Sequence, residues 1–307
     1  MSQVDGVVVI DKPAGCTSHD VVARCRLIFG QRRVGHAGTL DPDATGVLVV
    51  GLGQATRLLQ FLSGMAKRYT AEVVLGVATT TLDAAGQVTA TWDMRSVTLD
   101  EAREAATALT GEISQVPPMV SAVKVGGRRL HELARAGLEV PRASRQVTVT
   151  RFDVARAAPG EADGYGPVLA IDVECSSGTY VRALAADLGA ALGGGAHLRR
   201  LRRLAVGEFT VARAVTLGAL STAAEPAGAV MSPAAALAGL GRAVVAAPVA
   251  AAVSHGQVLP LQVLKGAGAS GPGPWAVVSS TGSLLAVYQP QGSDRAKPAV
   301  VLPQPCG

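Results

Sequence analysis

Residues 68–76, RYTAEVVLG, alternate and put Tyr69, Ala71, Val73 and Leu75 on one face. A period of two predicts a half-buried strand. GVVVI (6–10) and GVLVVGL (46–52) are continuous apolar runs and read as fully buried strands, while RQVTVTRFDVA and PVLAIDVEC predict two more. Helical spacing governs TSHDVVARCRLIF, where Val21, Val22, Cys25, Ile28 and Phe29 share a face behind an N-cap at Thr17 or Ser18. The pair Thr98 and Glu101 forms a capping box that opens a helix over about 99–109. SAVKVGGRRLHELARAG reads as strand, Gly-Gly turn and a helix ending at Gly137. GTYVRALAADLGAAL predicts a helix with Val181, Leu184, Leu188 and Leu192 inward. These elements mix without strict βαβ alternation, so the expected class is α+β with a mixed sheet.

A chain of 307 residues is long for one core and suggests two domains. From about Gly241 acidic residues nearly vanish, and short apolar runs (WAVVSS, LLAVYQ, PAVVLP) are separated by Gly- and Pro-containing turns. That pattern predicts a small β-rich domain with a boundary in 222–242, drawn here as 1–240 and 241–307. Aromatics are 3% of the chain, so the core is built mainly from Val, Leu and Ala. The net charge of +5 is a mild excess that suits a polyanionic partner, and its placement is more telling. Arginine pairs stand at 32–33 and 128–129, and HLRRLRRL holds Arg199, Arg200, Arg202 and Arg203. Cys16, Cys25, Cys175 and Cys306 form no CxxC pair, which argues against a thiolate zinc site or a disulfide framework. No signal peptide or membrane-spanning run is recognisable, and the expectation is a cytoplasmic protein. No long exposed apolar stripe calls for a partner, so a monomer without an obligate protein partner is expected.

RRVGHAGTLDPDATGVLVVGLGQATRLL, residues 32–59, admits three readings. As a dinucleotide loop, GLGQAT follows a strand, but Thr56 stands where close helix–strand packing needs a third glycine. As a metal site, His36, Asp41 and Asp43 lack ligand spacing, and the other histidines (His19, His131, His197, His255) are isolated. As the seat of a catalytic carboxylate, Asp41 precedes Pro42, which holds it extended, and Gly35, Gly38 and Gly46 permit close approach. Ordinary turn chemistry explains LDPD equally well.

GHAGTLDPDATGVL resembles the active-site motif of the TruB-type tRNA pseudouridine synthases, which act on uridine 55. GVVVIDKPAGCTSHDVV, KRYTAEVVLG, VPPMVSAVKVGGRRLHELARAG, CSSGTYVRALAADLG and GGGAHLRRLRRLAVGEF resemble the family's other motifs in order, over residues 6 to about 215. The resemblance implies a pseudouridine-synthase fold: a mostly antiparallel mixed sheet with flanking helices and a central cleft. The tail stands where many members carry a small PUA-like RNA-binding domain. The implied reaction isomerises a uridine in the tRNA T-arm: the glycosidic bond breaks, the base turns, and C5 joins C1′. The family uses neither metal nor organic cofactor.

The resemblance makes Asp41 the catalytic aspartate, ionised at neutral pH, whether by attack at C1′, addition at C6 or proton abstraction at C2′. Arg182 falls in the first turn of a helix with Ala185 and Ala186 at i+3 and i+4, so no local acid compensates it. An ion pair with a distant carboxylate is expected, and the resemblance favours Asp41 as that partner. It further implies that Tyr69 stacks on the flipped base, that Tyr180 and Leu201 line the pocket, and that His36 contacts the RNA loop. Lys12 matches the first motif and reads as a structural tie beneath the site. Arg199, Arg200, Arg202 and Arg203 are expected to contact the RNA backbone, against the plainer reading of HLRRLRRL as an amphipathic turn with a solvated face. Asp43 is this chain's own feature and is expected to point to solvent or to pair with a nearby basic residue, since a second acid facing Asp41 would oppose its ionisation.

Overall fold

The computed structural model describes residues 3–121, 124–125, 127–130, 138, 140–158 and 164–303. The chain begins with β1 (Gly6–Lys12), α1 (Ser18–Ile28), β2 (Val34–His36) and β3 (Thr45–Leu52). Thr17 caps α1, and Asp20 reaches back to the Thr17 backbone, so the capping box is complete. After β3 a 3₁₀ turn (Gly53–Leu58) runs into the short α2 (Leu59–Ser63).

β4 (Lys67–Leu75) buries Tyr69, Ala71, Val73 and Leu75, the face its alternation predicts. β5 (Val77–Thr79) and β6 (Val88–Thr91) form a hairpin, followed by α3 (Leu99–Ala108), whose capping box is Thr98 and Glu101. β7 (Gly111–Gln115) leads to a second hairpin of β8 (Lys124–Val125) and β9 (Arg128–Arg129). Strand therefore resumes at Arg128 where a helix was expected, and the rest of that helix, to Gly137, lies outside the described residues. β10 (Arg145–Arg156), β11 (Val168–Cys175), α4 (Val181–Ala191), β12 (Ala196–Val206) and β13 (Phe209–Thr210) follow. Beyond them come β14 (Val215–Thr216), α5 (Leu217–Thr222), α6 (Pro233–Ala236), β15 (Gly241–Val245), α7 (Ala247–Ser254), β16 (Leu259–Pro260), α8 (Leu261–Gly266), β17 (Trp275–Ser279), β18 (Leu284–Gln291) and β19 (Arg295–Val301).

Two compact units organise these elements: residues 1–42, 48–63 and 212–307, and residues 43–47 and 64–211. In the first unit the strand order is β14-β1-β3, with β14 parallel to β1 and β2 antiparallel to β3. Its core joins Val8, Ile10, Val21, Val22, Cys25, Leu48 and Val50. The tail carries a separate five-stranded sheet, β15-β17-β18-β19-β16, with its own core around Trp275 and Tyr288. Both aromatics satisfy their polar ends: Trp275 Nε1 donates to Ser270 O at 2.9 Å, and Tyr288 Oη to Gln257 O at 2.7 Å.

In the second unit β12-β4-β11-β10-β7 run antiparallel throughout, and Thr45 and Gly46 add a parallel pairing to Arg202 and Arg203. α4 packs on β12 and α3 on β10. The sheet is mixed and mostly antiparallel with helices against it, as expected. HLRRLRRL is not an amphipathic turn: it lies within an eleven-residue strand. Register shifts between Leu198 and Arg200, and between Arg203 and Ala205, break its period. Such bulges re-aim side chains, which is why leucines spaced by three do not mark a helix here.

Candidate active site

The first unit holds Lys12, His36 and Asp41. Lys12 is fully buried, and its ammonium donates to Pro13 O at 2.8 Å, Cys16 O at 2.7 Å and Pro42 O at 2.8 Å. An ammonium has three N–H donors, and three carbonyls take them. Gly15 N also donates to Pro42 O, at 3.1 Å. Ser18, at the start of α1, donates to Leu40 O at 3.1 Å and accepts from Leu40 N at 2.9 Å. The residues on both sides of Asp41 are thus clamped, Leu40 to a helix and Pro42 to a buried cation. Asp41 itself is half-buried and Asp43 is exposed, so the second acid faces solvent. Gly38 sits at φ +97°, a region that favours glycine, and Ala37 N closes onto Val49 O at 2.9 Å.

GLGQAT takes no part in binding a dinucleotide. Gly53 opens a 3₁₀ turn, and the Gln54 N–H, which a pyrophosphate would need, donates to the Asp5 carboxylate at 2.7 Å. Arg33 ties the same turn through Thr56 Oγ1 at 3.0 Å and Gln54 Oε1 at 3.1 Å.

The second unit holds Tyr69, Tyr180, Arg182, Leu201 and the four clustered arginines. Tyr69 is 6% exposed on β4, directly across from Arg203. Arg182 is 5% exposed in the first turn of α4. Its guanidinium donates to Thr81 O and Val120 O, each at 2.9 Å, and forms an ion pair with Asp83 at 3.3 Å. The cation at a helix N-terminus is therefore compensated from a distant loop, as its helix sequence required. Asp83 is the acid that pairs with it inside this unit, and sequence reasoning did not name it.

Backbone geometry aims Asp83. The preceding Leu82 has φ +62°, an unfavourable conformation for a branched side chain. The loop is pinned there because Leu198 N donates to Leu82 O at 3.0 Å and Ala84 N to Leu198 O at 2.9 Å. Thr79 Oγ1 donates to Asp83 O at 2.7 Å. Gln115, 2% exposed, was also missed. It donates to Tyr180 O at 3.2 Å and accepts from Tyr180 N at 2.7 Å, bracketing the start of the helix that carries Arg182.

The four arginines divide. Arg199 Nε and Arg200 Nη1 both meet Glu72, at 2.8 and 3.1 Å. Arg200 keeps 75% of its side chain exposed, whereas Arg199 keeps 22%. Arg202 is half-buried. Arg203 is 1% exposed and donates Nε to Val47 O at 2.7 Å. Opposite it Gly46, at φ +102°, leaves no room for a side chain, since a Cβ would collide with the Arg203 backbone. Below them Lys67 is buried beside Arg203, and burial with that neighbouring cation lowers its pKa to about 8.

No three His, Cys, Asp or Glu side chains converge among the described residues, and no helix there is long and apolar enough to cross a membrane. The family model for the TruB family pseudouridylate synthase N-terminal domain matches residues 26–181, and that of the tRNA pseudouridylate synthase B C-terminal domain matches 182–234. The chain belongs to the TruB family. Over 97% of its length it is 48% identical to tRNA pseudouridine synthase B of Rhodococcus jostii (strain RHA1), covering 94% of that protein. It is 47% identical to the same-named protein of Mycobacterium sp. (strain KMS), over 97% of this chain and 96% of that one. Among solved structures it is similar to a chain of a Cbf5-Nop10-Gar1 complex, with a TM-score of 0.74 and 28% identity over 96% of this chain and 83% of that one. An H/ACA ribonucleoprotein bound to a substrate RNA containing 2′-deoxyuridine gives a TM-score of 0.70 at 25% identity, over 97% and 85%.

Proposed function

We propose that this protein isomerises uridine to pseudouridine at position 55 in the T-loop of tRNA, as a cytoplasmic enzyme that works as a monomer. The observation that carries the reading is the clamped Asp41 loop. A side chain that must act on one ribosyl centre needs a backbone that does not move, and Lys12 and Ser18 supply it. Asp41 is the catalytic carboxylate. Tyr69 stacks on the displaced base, Tyr180 and Leu201 border it, and Arg182 is the cation that keeps Asp41 ionised. Asp83 and the carbonyls of Thr81 and Val120 hold the Arg182 fork in one orientation, which the reaction requires of a bidentate cation. His36 fills or stacks against the RNA loop that the base vacates. Among the clustered arginines Arg200, the most exposed by far, faces phosphate, and Arg203 serves the fold. The small tail sheet, drawn as residues 241–307, is the PUA-like RNA-binding module.

The test is tritium release from C5-labelled uridine in unmodified tRNA, with chelator present and no cofactor added. Wild-type protein is expected to release tritium. Asp41→Asn is expected to lose at least about 10³-fold in turnover while retaining tRNA binding. Wild-type protein that binds tRNA and releases nothing would overturn the proposal.

A further inference from the structure

His19 has no task in the chemistry described above. It is exposed in the first turn of α1, and its ring centroid lies 5.4 Å from that of His36, with the ring planes at 83°. This is the edge-to-face arrangement that aromatic rings favour. The backbone on each side of the pair is already fixed. Ser18, the residue before His19, exchanges two hydrogen bonds with Leu40, and Thr17 and Asp20 close the capping box around His19. His36 ends β2, where its Cα pairs with Val50. The two imidazoles therefore stand on the same clamped assembly that carries Asp41.

A histidine's second side-chain torsion is broad and settles weakly by itself. A second ring set at right angles narrows it, so the imidazole meets its ligand already oriented and loses less freedom on binding. We propose that His19 is a positioning residue for RNA: its ring holds the His36 imidazole in the orientation that receives the RNA loop. The inference rests on the reading of His36 as an RNA contact. It assigns a function to a residue that contacts neither the base nor the reacting atoms.

The experiment uses the full chain and unmodified tRNA, with Kd, KM and kcat measured for His19→Ala, His19→Phe, His36→Ala and the double alanine variant. His19→Ala is expected to raise Kd and KM about three- to tenfold, with kcat moving less than twofold and Tm unchanged. The ring resonances of His36 shift in the same variant. His19→Phe, which keeps a ring, restores affinity. The double variant binds no more weakly than His36→Ala, because both act by one route. Wild-type affinity in His19→Ala, failure of Phe to rescue, or multiplied losses in the double variant would each overturn the inference. These outcomes differ from failure of the isomerase reading, in which the wild type itself releases no tritium.

Discussion

Two stretches of this chain concentrate charge, and they use it in opposite ways. In residues 34–46 the buried charge belongs to a distant helper: Lys12 lies beneath the loop with its ammonium on three carbonyls, while Asp41 keeps partial access to solvent. In residues 196–206 the charges of the segment itself turn inward or pair off. Arg203 is buried against a carbonyl, and Glu72 takes both Arg199 and Arg200. A charged motif thus reports chemistry only when something else carries the burden of burial, since an ionised group taken from water must be matched by oriented dipoles or an opposite charge. Asp41 is available because Lys12 does the holding. Arg203 is unavailable because it does the holding itself.

The sharpest break of that contrast removes each holder. Lys12→Met removes the donor that three carbonyls share; Pro42 O keeps Gly15 N and Pro13 O the Cys16 thiol, but Cys16 O loses its partner, and an unsatisfied buried acceptor costs about 1–3 kcal/mol. The expected result is a fall in Tm of about 5–10 °C, together with a loss of turnover, because the freed loop carries Asp41. Arg203→Met removes a donor from Val47 O and is expected to destabilise by about 2 kcal/mol, with kcat of the surviving folded protein near wild type. Thermal melts and active-site-normalised turnover separate the two outcomes. Equal losses of turnover in both variants would erase the distinction drawn between loop and strand.

Much of the fold was legible because periodicity is local. The alternation of β4, the capping box of α3 and an N-cap at the start of α1 were read correctly from neighbouring residues, whereas the part Asp20 plays in a second capping box was not. β12 was not, because two bulges break its period of two and leave Leu198, Leu201 and Leu204 at a spacing that imitates a helical turn. The charge partners were harder still. Glu72 lies 127 residues before Arg199, and nothing in its sequence surroundings marks it as a shared acid. Asp83 reaches Arg182 only because Leu198 pins its loop through backbone bonds, which leave no trace in side-chain pattern. Asp41, Tyr69 and Arg182 were singled out by motif resemblance. Their supports Ser18, Gln115 and Asp83 were not, since a support is defined by what it touches.

Titration sharpens the account of the strand. Lys67, beside Arg203, has a folded pKa of about 8 against the ordinary 10.5. The unfolded chain therefore holds the extra proton from about pH 8 to 10.5, and stability rises with pH across that window. Burial raises the Cys25 and Cys175 thiols to about 11 from 9.0, so the unfolded chain releases those protons first and stability falls from about pH 9 to 11. Between pH 8 and 9 Lys67 acts without that opposition, and stability is expected to rise by at most about 1.4 kcal/mol. Denaturant melts of Lys67→Met should lack this rise. Arg203→Met removes a repelling charge, so its rise should begin at higher pH. An unchanged profile in both variants would place the proton elsewhere.

The smallest effect expected concerns Glu72. Its single negative charge is shared by two arginines of the strand, and one of them, Arg200, is three-quarters exposed. Each phosphate contact made by a freed cation steepens the salt dependence of nucleic-acid binding by just under one unit in the log–log slope. If this strand faces RNA, Glu72→Gln should tighten tRNA binding modestly and raise the slope by about one. Catalysis should be untouched, because phosphate contacts position the RNA and do not read it. A slope identical to wild type would assign all four arginines to the fold. The contrast with the Asp41 loop would then be complete, since the strand's charge would be wholly structural.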